Sequence, residues 1–379
     1  MGDTLGVLRE AVTDEKRVAV VPDLVSRYAK LGLAVVVEKG AGEKAFQADA
    51  EYAAKGARIA DRAEVLKADI VVSVQPPADA DLPQLRKGGV LVGFLSPLEN
   101  PGLASVLART GVSAFAMELV PRVSRAQKMD ALSAMSSVAG YRAVLLAATA
   151  LPKFFPLLTT AAGTVRPASV LVLGAGVAGL QAIATARRLG ARVSAYDIRA
   201  EVAEQIRSLG AQFVELEIDT QEDKDTGGYA SELAREKAER QVELLVPHIA
   251  KADVVVTTAL IPGRPAPLLI SRKAVESMKQ GSVIVDLAAP NGGNCELTTA
   301  GDTVNHNGVT IMGPTNLPSE LPVHASEMYA RTVLALVEEI VAEGSVKLDM
   351  EDDVVSGSCL CHAGDIVNER VRELAGRAS

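Results

Sequence analysis

The stretch VLVLGAGVAGLQAIATARRLGARVSAYDIR, residues 170–199, constrains the fold of this chain more than any other. An apolar run, VLVL, leads straight into Gly174, Gly176 and Gly179 in the spacing G-x-G-x-x-G, and a helical pattern follows. Gly174 permits a tight turn, Gly176 lets the backbone approach a pyrophosphate, and Gly179 allows the helix to pack closely on a sheet. Val177 and Ala178 open the helix, where unpaired N–H groups and the positive dipole end favour an anion. Glycine spacing alone is a weak signal; strand, loop, helix and second strand in succession make it specific. ARVSAY (191–196) is that second strand, and Asp197 ends it about twenty residues beyond the loop, as a dinucleotide fingerprint requires. Its carboxylate suits the adenosine ribose hydroxyls and repels a 2′-phosphate, which favours NAD(H) over NADP(H). Arg199, just past Ile198, weakens that preference, because a guanidinium can hold a 2′-phosphate.

The remaining pattern extends this unit in both directions. DVVVTTA (253–259) and SVIVDLA (282–288) are further apolar strands. The loops after them, TTALIPGRPAP with Thr258, Ala259 and Leu260, and DLAAPNGGNCE, lie where ligands of open parallel sheets sit. Before them, TLGVL (4–8), AVVVEKG (34–40), DIVVSV (69–74) and GVLVGFL (89–95) alternate with helical segments such as PDLVSRYAKLG (22–32), which predicts a second parallel unit. KGAGEKA (39–45) lacks the third glycine of a dinucleotide loop and reads as a strand-to-helix turn. Residues 130–150 carry a long helical period, TAAGTVRPA (160–168) is a turn-rich joint, and ASEMYARTVLALVEEIVAEG from about 325 is an amphipathic helix returning the chain to the first unit. The expected fold is α/β, with two Rossmann-like parallel-sheet domains and a cleft between them. The first domain is discontinuous, 1–135 plus 325–379, and the second covers 136–324.

Composition agrees. A chain of 379 residues is long enough for two domains of ~100–200 residues each. Hydrophobic residues make up 48%, but aromatics only 3% with no Trp, so the cores are built from Val, Leu, Ile and Ala. A net charge of −8 is poorly suited to nucleic acid or anionic lipid. Three cysteines, an odd number, argue against a disulfide framework and for a cytoplasmic setting. MGDTLGVLREAVTDEKR is charged at once, unlike a signal peptide. The nearest approach to a membrane span, residues 143–158, is broken by Pro152, Lys153 and Pro156, so no direct membrane insertion is expected.

A polar stretch stands apart. PRVSRAQKMDALSAMSS (121–137) gathers Arg122, Ser124, Arg125, Gln127, Asp130 and Ser133 around a helix start, with neither His nor Cys. It reads as a clamp for a polar ligand, or as a helix cap, for which Asp130 or Ser124 would suffice. DTQEDKDTGGYASE (219–232), with paired glycines and Tyr229, suggests a lid over a bound nucleotide. The four histidines show no metal-ligand spacing. His248 lies near a helix end, touching the dipole; His306 lies in a turn, His324 precedes a helix, and His362 follows Cys359 and Cys361 in SCLCH. No metal site is expected, and Cys295 reads as packing.

PRVSRAQKMDALS together with GYRAV, TAAGTV, GAGVAGLQA, TTALIPGRPAP and DLAAPNGGNCE closely resembles the NAD(H)-binding component of proton-translocating NAD(P) transhydrogenase, the alpha subunit or its soluble first portion. The motifs occur in the family's order over nearly the whole chain. The resemblance implies a homodimer that binds NADH and passes hydride directly to NADP⁺ held by a beta subunit. Membrane partner subunits would supply proton translocation, which places the chain in the cytoplasm, peripheral to the inner membrane. It further implies that Arg122, Gln127, Asp130 and Ser133 surround the nicotinamide and its redox partner, with Gln127 reaching the second nucleotide. Asp197 would hold the adenosine ribose, and Tyr229 would belong to a closing loop. Alpha subunits of the longer type continue into membrane helices, so this chain resembles the split form.

The related alanine dehydrogenases place a Lys and a His in the first domain to bind substrate carboxylate and move protons; this chain has Gln75 and Ser96 there. Oxidation of an amino or hydroxy acid releases a proton and needs a base. Hydride exchange between two nicotinamides needs only rings held at ~3–3.5 Å and water excluded. A clamp without a base fits the second chemistry. A soluble alanine-type dehydrogenase and a non-catalytic NAD(H) sensor are the alternatives.

Overall fold

A computed structural model describes residues 2–216, 228–261 and 263–377, with the side chains of 228–235 outside that description. The chain divides into two compact units, Met1–Met135 with Pro318–Ser379, and Ser136–Leu317.

In the first unit the strands run, in spatial order, Asp365–Ile366, Cys359–His362, Ser113–Ala116, Val90–Gly93, Ile70–Val72, Thr4–Val7, Ala34–Glu38 and Arg58–Ala60. Those from Ser113–Ala116 to Arg58–Ala60 are mutually parallel, and Cys359–His362 closes that edge antiparallel. The second unit has the order Gln212–Phe213, Arg192–Tyr196, Ser169–Leu173, Val254–Thr257, Val283–Asp286, Val309–Met312 and Thr303–His306. Only its last strand is antiparallel. Short runs such as VVVT and VIVD are buried at every position, as strands covered on both faces must be. Each fully buried Val or Ile there contributes about 1.5–3 kcal/mol relative to exposure.

Several local expectations change. The return to the first unit begins at Pro318, not 325. The reason is local bonding: the Lys16 N–H donates to Ser319 Oγ at 2.7 Å, and Ser319 Oγ donates to the Asp14 carbonyl at 2.6 Å. The helix then runs Pro322–Ile340, with Tyr329 buried and donating to the Ser73 carbonyl at 2.9 Å. The turn-rich joint is an exposed hairpin, Leu158–Thr160 against Gly163–Val165. His306 ends a strand rather than sitting in a turn, and its Nε2 lies 3.1 Å from Glu276 Oε1. His248 is governed by burial and by Lys251, which lower its pKa; a helix dipole would raise it. SCLCH forms a strand, with Cys359 and Cys361 buried and their thiols pushed up by burial to about 12 and 11. Among the described residues one helix, Ala131–Ala150, is long and apolar enough to cross a membrane by length and composition. Its Ala143, Val144 and Ala147 are fully buried in the core of the second unit, which marks them as core positions.

Candidate functional site

In the second unit, the strand Ser169–Leu173 stops at Gly174, whose φ of +99° lies in the left-handed region. A Cβ there would stand 2.6 Å from Thr258 Oγ1. The chain then turns into the helix Val177–Arg188, which no side chain caps. A Cβ on Gly176 would meet nothing within 4 Å, so the space above this helix start is open. Uncapped N–H groups facing open space are what a pyrophosphate needs. Gly179 has the opposite constraint, since a Cβ there would stand 1.9 Å from the Gly174 carbonyl oxygen.

Polar groups lock the loop in place. Asp197 is 8% exposed, and its Oδ2 accepts from the Ala175 N–H at 2.7 Å. Oδ1 accepts from the Arg199 N–H at 2.9 Å, and the Arg199 guanidinium reaches both oxygens at 3.0 Å. Burial works to raise the Asp197 carboxyl, but the Arg199 guanidinium and the two backbone N–H donors outweigh it and leave the pKa lowered. The carboxylate therefore stays charged and ties the glycine loop to the end of the neighbouring strand. From the other side, Thr258 Oγ1 donates to the Gly174 carbonyl at 3.1 Å. Val177, Ile198 and Leu260 are 42%, 65% and 51% exposed and follow adjacent parallel strands, so they form an apolar rim to this loop.

Sequence reasoning missed the residues that hold the outer loops. Asp286 is fully buried at the end of its strand. It accepts from Thr257 Oγ1 at 2.8 Å, Thr298 Oγ1 at 2.7 Å, and the N–H groups of Ala288, Asn294 and Cys295. Asn294, also fully buried, accepts from the Ala259 N–H at 3.1 Å and donates to the carbonyls of Ala259 and Pro267. Together they fasten TTALIPGRPAP to DLAAPNGGNCE. The signal was an acidic residue ending the apolar run SVIVD, followed by an amide between glycine and cysteine. Gly140 was also missed: a Cβ on it would stand 2.0 Å from the Ala178 carbonyl oxygen, so the long helix touches the start of the nucleotide helix.

In the first unit, Ser124–Met129 is a short 3-10 turn with Ala126 and Met129 buried. Arg122 and Gln127 are exposed. Asp130 Oδ1 accepts from the Ser133 N–H at 2.8 Å and Oδ2 from Ser133 Oγ at 2.6 Å, so this pair caps the helix Ala131–Ala150. Arg125 bonds Asp352 at 2.6 Å and also Asp353, and Lys128 lies 3.1 Å from Glu339. These ion pairs fix the turn and leave Gln127 pointing away from the core. Gln75 donates to Glu15 at 3.0 Å, and the Ser96 N–H donates to Glu118 at 2.7 Å. Tyr229 falls among the residues whose side chains are not described, and residues 219–227 of the expected lid lie outside the described residues.

Comparison with known proteins accounts for nearly the whole chain. Residues 6–139 match the family model "Alanine dehydrogenase/PNT, N-terminal domain", and 143–369 match "Alanine dehydrogenase/PNT, C-terminal domain". The NAD(P) transhydrogenase subunit alpha of Haemophilus influenzae is 45% identical over 95% of this chain and 71% of that protein. In Rhodospirillum rubrum the NAD(P) transhydrogenase alpha subunit is divided between chains, and its first chain is 44% identical, covering 96% of this chain and 97% of the relative. A solved transhydrogenase from Sinorhizobium meliloti superposes with a TM-score of 0.85 at 40% identity, covering 97% of this chain and 99% of that one. The chain belongs to the alanine dehydrogenase/transhydrogenase family, alongside the alpha subunits of NAD(P) transhydrogenase.

Proposed function

We propose that this chain is the NAD(H)-binding component of a proton-translocating NAD(P) transhydrogenase and works with separate membrane and NADP(H)-binding subunits. The observation that carries this reading is a nucleotide loop held open by Asp197 and Thr258, in a chain 44–45% identical to transhydrogenase alpha subunits. NADH, when bound, supplies the hydride. The N–H groups after Gly176 bind its pyrophosphate, and Asp197 takes the adenosine ribose with Val177, Ile198 and Leu260 as the apolar rim. Arg122, Asp130 and Ser133 hold the nicotinamide side, and Gln127 reaches the second nucleotide. Tyr229 closes over the site. Nothing in the clamp has to take a proton, because hydride passing from ring to ring leaves none behind.

The alanine dehydrogenase reading has less support. Gln75 and Ser96 stand where that chemistry needs a Lys and a His, and Gln75 is already bonded to Glu15. The hairpin at 158–165 supports a homodimer: Phe154, Leu157, Leu158 and Val165 are 37–59% exposed, an apolar set that a second copy would cover. No nucleic acid partner is proposed, and the chain would reach the inner membrane only through its partner subunits.

The test is transhydrogenation in solution. This chain, NADH and a purified NADP(H)-binding domain of a beta subunit, loaded with an NADP⁺ analogue of shifted absorbance, are mixed and followed optically. Transfer that needs both proteins supports the reading. Turnover of alanine by this chain alone would favour the dehydrogenase, and binding without transfer to a competent partner would favour a sensor. Gln127→Asn is expected to slow transfer at least ten-fold with the Kd for NADH changed less than two-fold; collapse of binding instead would remove Gln127 from its assigned role.

A further inference from the structure

The first unit has a switch point of its own. Thr4–Val7 and Ile70–Val72 are neighbours, and from them the strand order runs outward in opposite directions. In open parallel sheets, small ligands bind beyond the carboxyl ends of such a pair. Glu10, Glu15, Arg17 and Gln75 follow these strands. Beside them lies a cavity of about 110 Å³, lined also by Arg9, Lys44 and the loop from Gly40.

Arg17 and Glu15 are 4% and 0% exposed. The Arg17 guanidinium forks onto the Glu15 carboxylate, Nε to Oε1 at 2.7 Å and Nη2 to Oε2 at 2.6 Å. The Arg17 N–H adds a bond to Oε1 at 3.0 Å, and the Gln75 carboxamide adds one to Oε2 at 3.0 Å. A buried guanidinium fork, a backbone N–H and a side-chain amide converging beside a cavity at a switch point form a carboxylate receptor. Here the carboxylate it holds comes from its own backbone, two residues before Arg17 in sequence.

We propose that Glu15 is the built-in occupant of a small-carboxylate site in the first unit and excludes free carboxylic acids from it. A tethered group competes at an effective concentration that dissolved acids do not reach. Glu15 is thus a specificity-determining residue that keeps amino acids and 2-oxo acids out of a nucleotide-binding chain. The inference rests on the first unit alone and stands apart from the transhydrogenase reading.

The test is chemical rescue. Glu15→Ala leaves a buried guanidinium without its counter-ion, a strongly destabilising change. Its thermal midpoint is measured against sodium acetate and, at equal ionic strength, sodium chloride. Acetate is expected to raise the midpoint saturably in Glu15→Ala and not in the native chain, and the effect is expected to vanish in Glu15→Ala/Arg17→Met. Direct titration should show acetate binding at least ten-fold tighter to Glu15→Ala than to the native chain. If the variant does not fold in chloride, its refolding yield in acetate against chloride is the readout. Equal responses to acetate and chloride would overturn the proposal, as would an acetate effect that survives loss of Arg17.

Discussion

Asp197 carries two tasks with one carboxylate. It fixes the Ala175 N–H of the glycine loop and it binds the Arg199 guanidinium. Charge-assisted bonds of this kind contribute roughly 1.5–3 kcal/mol each. Asp197→Ala is expected to weaken NADH binding by roughly ten- to a hundred-fold and to release Arg199 toward a 2′-phosphate, so that NADPH binding improves. Calorimetric titration with both nucleotides checks this, and unchanged affinities would remove Asp197 from the site. This residue was legible because the fingerprint fixes its distance from the glycines. Asp286 and Asn294 were not, because Asp286 bonds Thr257, 29 residues away, and Asn294 bonds Ala259, 35 residues away, contacts that only the folded sheet creates.

The helix Ala131–Ala150 begins with a residue that the clamp also claims. Asp130 caps it through Ser133, which satisfies N–H groups that every helix start leaves open. Serine caps nearly as well as aspartate, whereas alanine costs about 1 kcal/mol. Asp130→Ser is therefore expected to leave the thermal midpoint within a few degrees, while hydride transfer with the partner domain falls at least ten-fold. Unchanged transfer would leave Asp130 a cap and nothing more. At this scale the long apolar runs are legible in the sequence, since VLVL, VVVT and VIVD have no alternative to burial. The strands Arg58–Ala60, Ser113–Ala116 and Cys359–His362 are not, because RIA, SAFA and CLCH are too short or too mixed to show a period. The hairpin at 158–165 is hidden for another reason: its residues are exposed and alternate nothing inward.

For the molecule as a whole, burial pushes the Glu10 carboxyl from its ordinary 4.5 up to about 7, against the Val74 and Gln75 N–H donors. The folded chain therefore holds a proton between about pH 4.5 and 7 that the unfolded chain has released. Stability from this group is present below that window and is lost as pH rises through about 7. Glu10→Gln is expected to flatten stability against pH between 5 and 8 by up to one proton, about 1.4 kcal/mol per pH unit. Glu118, pushed to about 6 by burial, still contributes below pH 6 in that variant. Denaturant titrations at each pH check the slope, and an unchanged slope would mean that Glu10 stays ionised. Assembly is testable separately: Leu157→Asp on the exposed hairpin is expected to shift sedimentation from dimer to monomer without lowering the melting temperature.

The discontinuity of the first unit also has a consequence in time. Its edge strand Cys359–His362 pairs with Ser113–Ala116, and Ser113 Oγ lies 2.8 Å from His362 Nδ1 across 249 residues of chain. A ribosome adding ~5–20 residues each second needs roughly 10–50 s to cover that distance. Ser136–Leu317 emerges whole in the interval and can fold first. Until the last segment arrives, Ser113–Ala116 presents a raw strand edge, the kind of surface on which nascent chains pair with one another. The newborn protein therefore passes through a stage in which its nucleotide unit is complete while its other half still depends on chaperones to stay single.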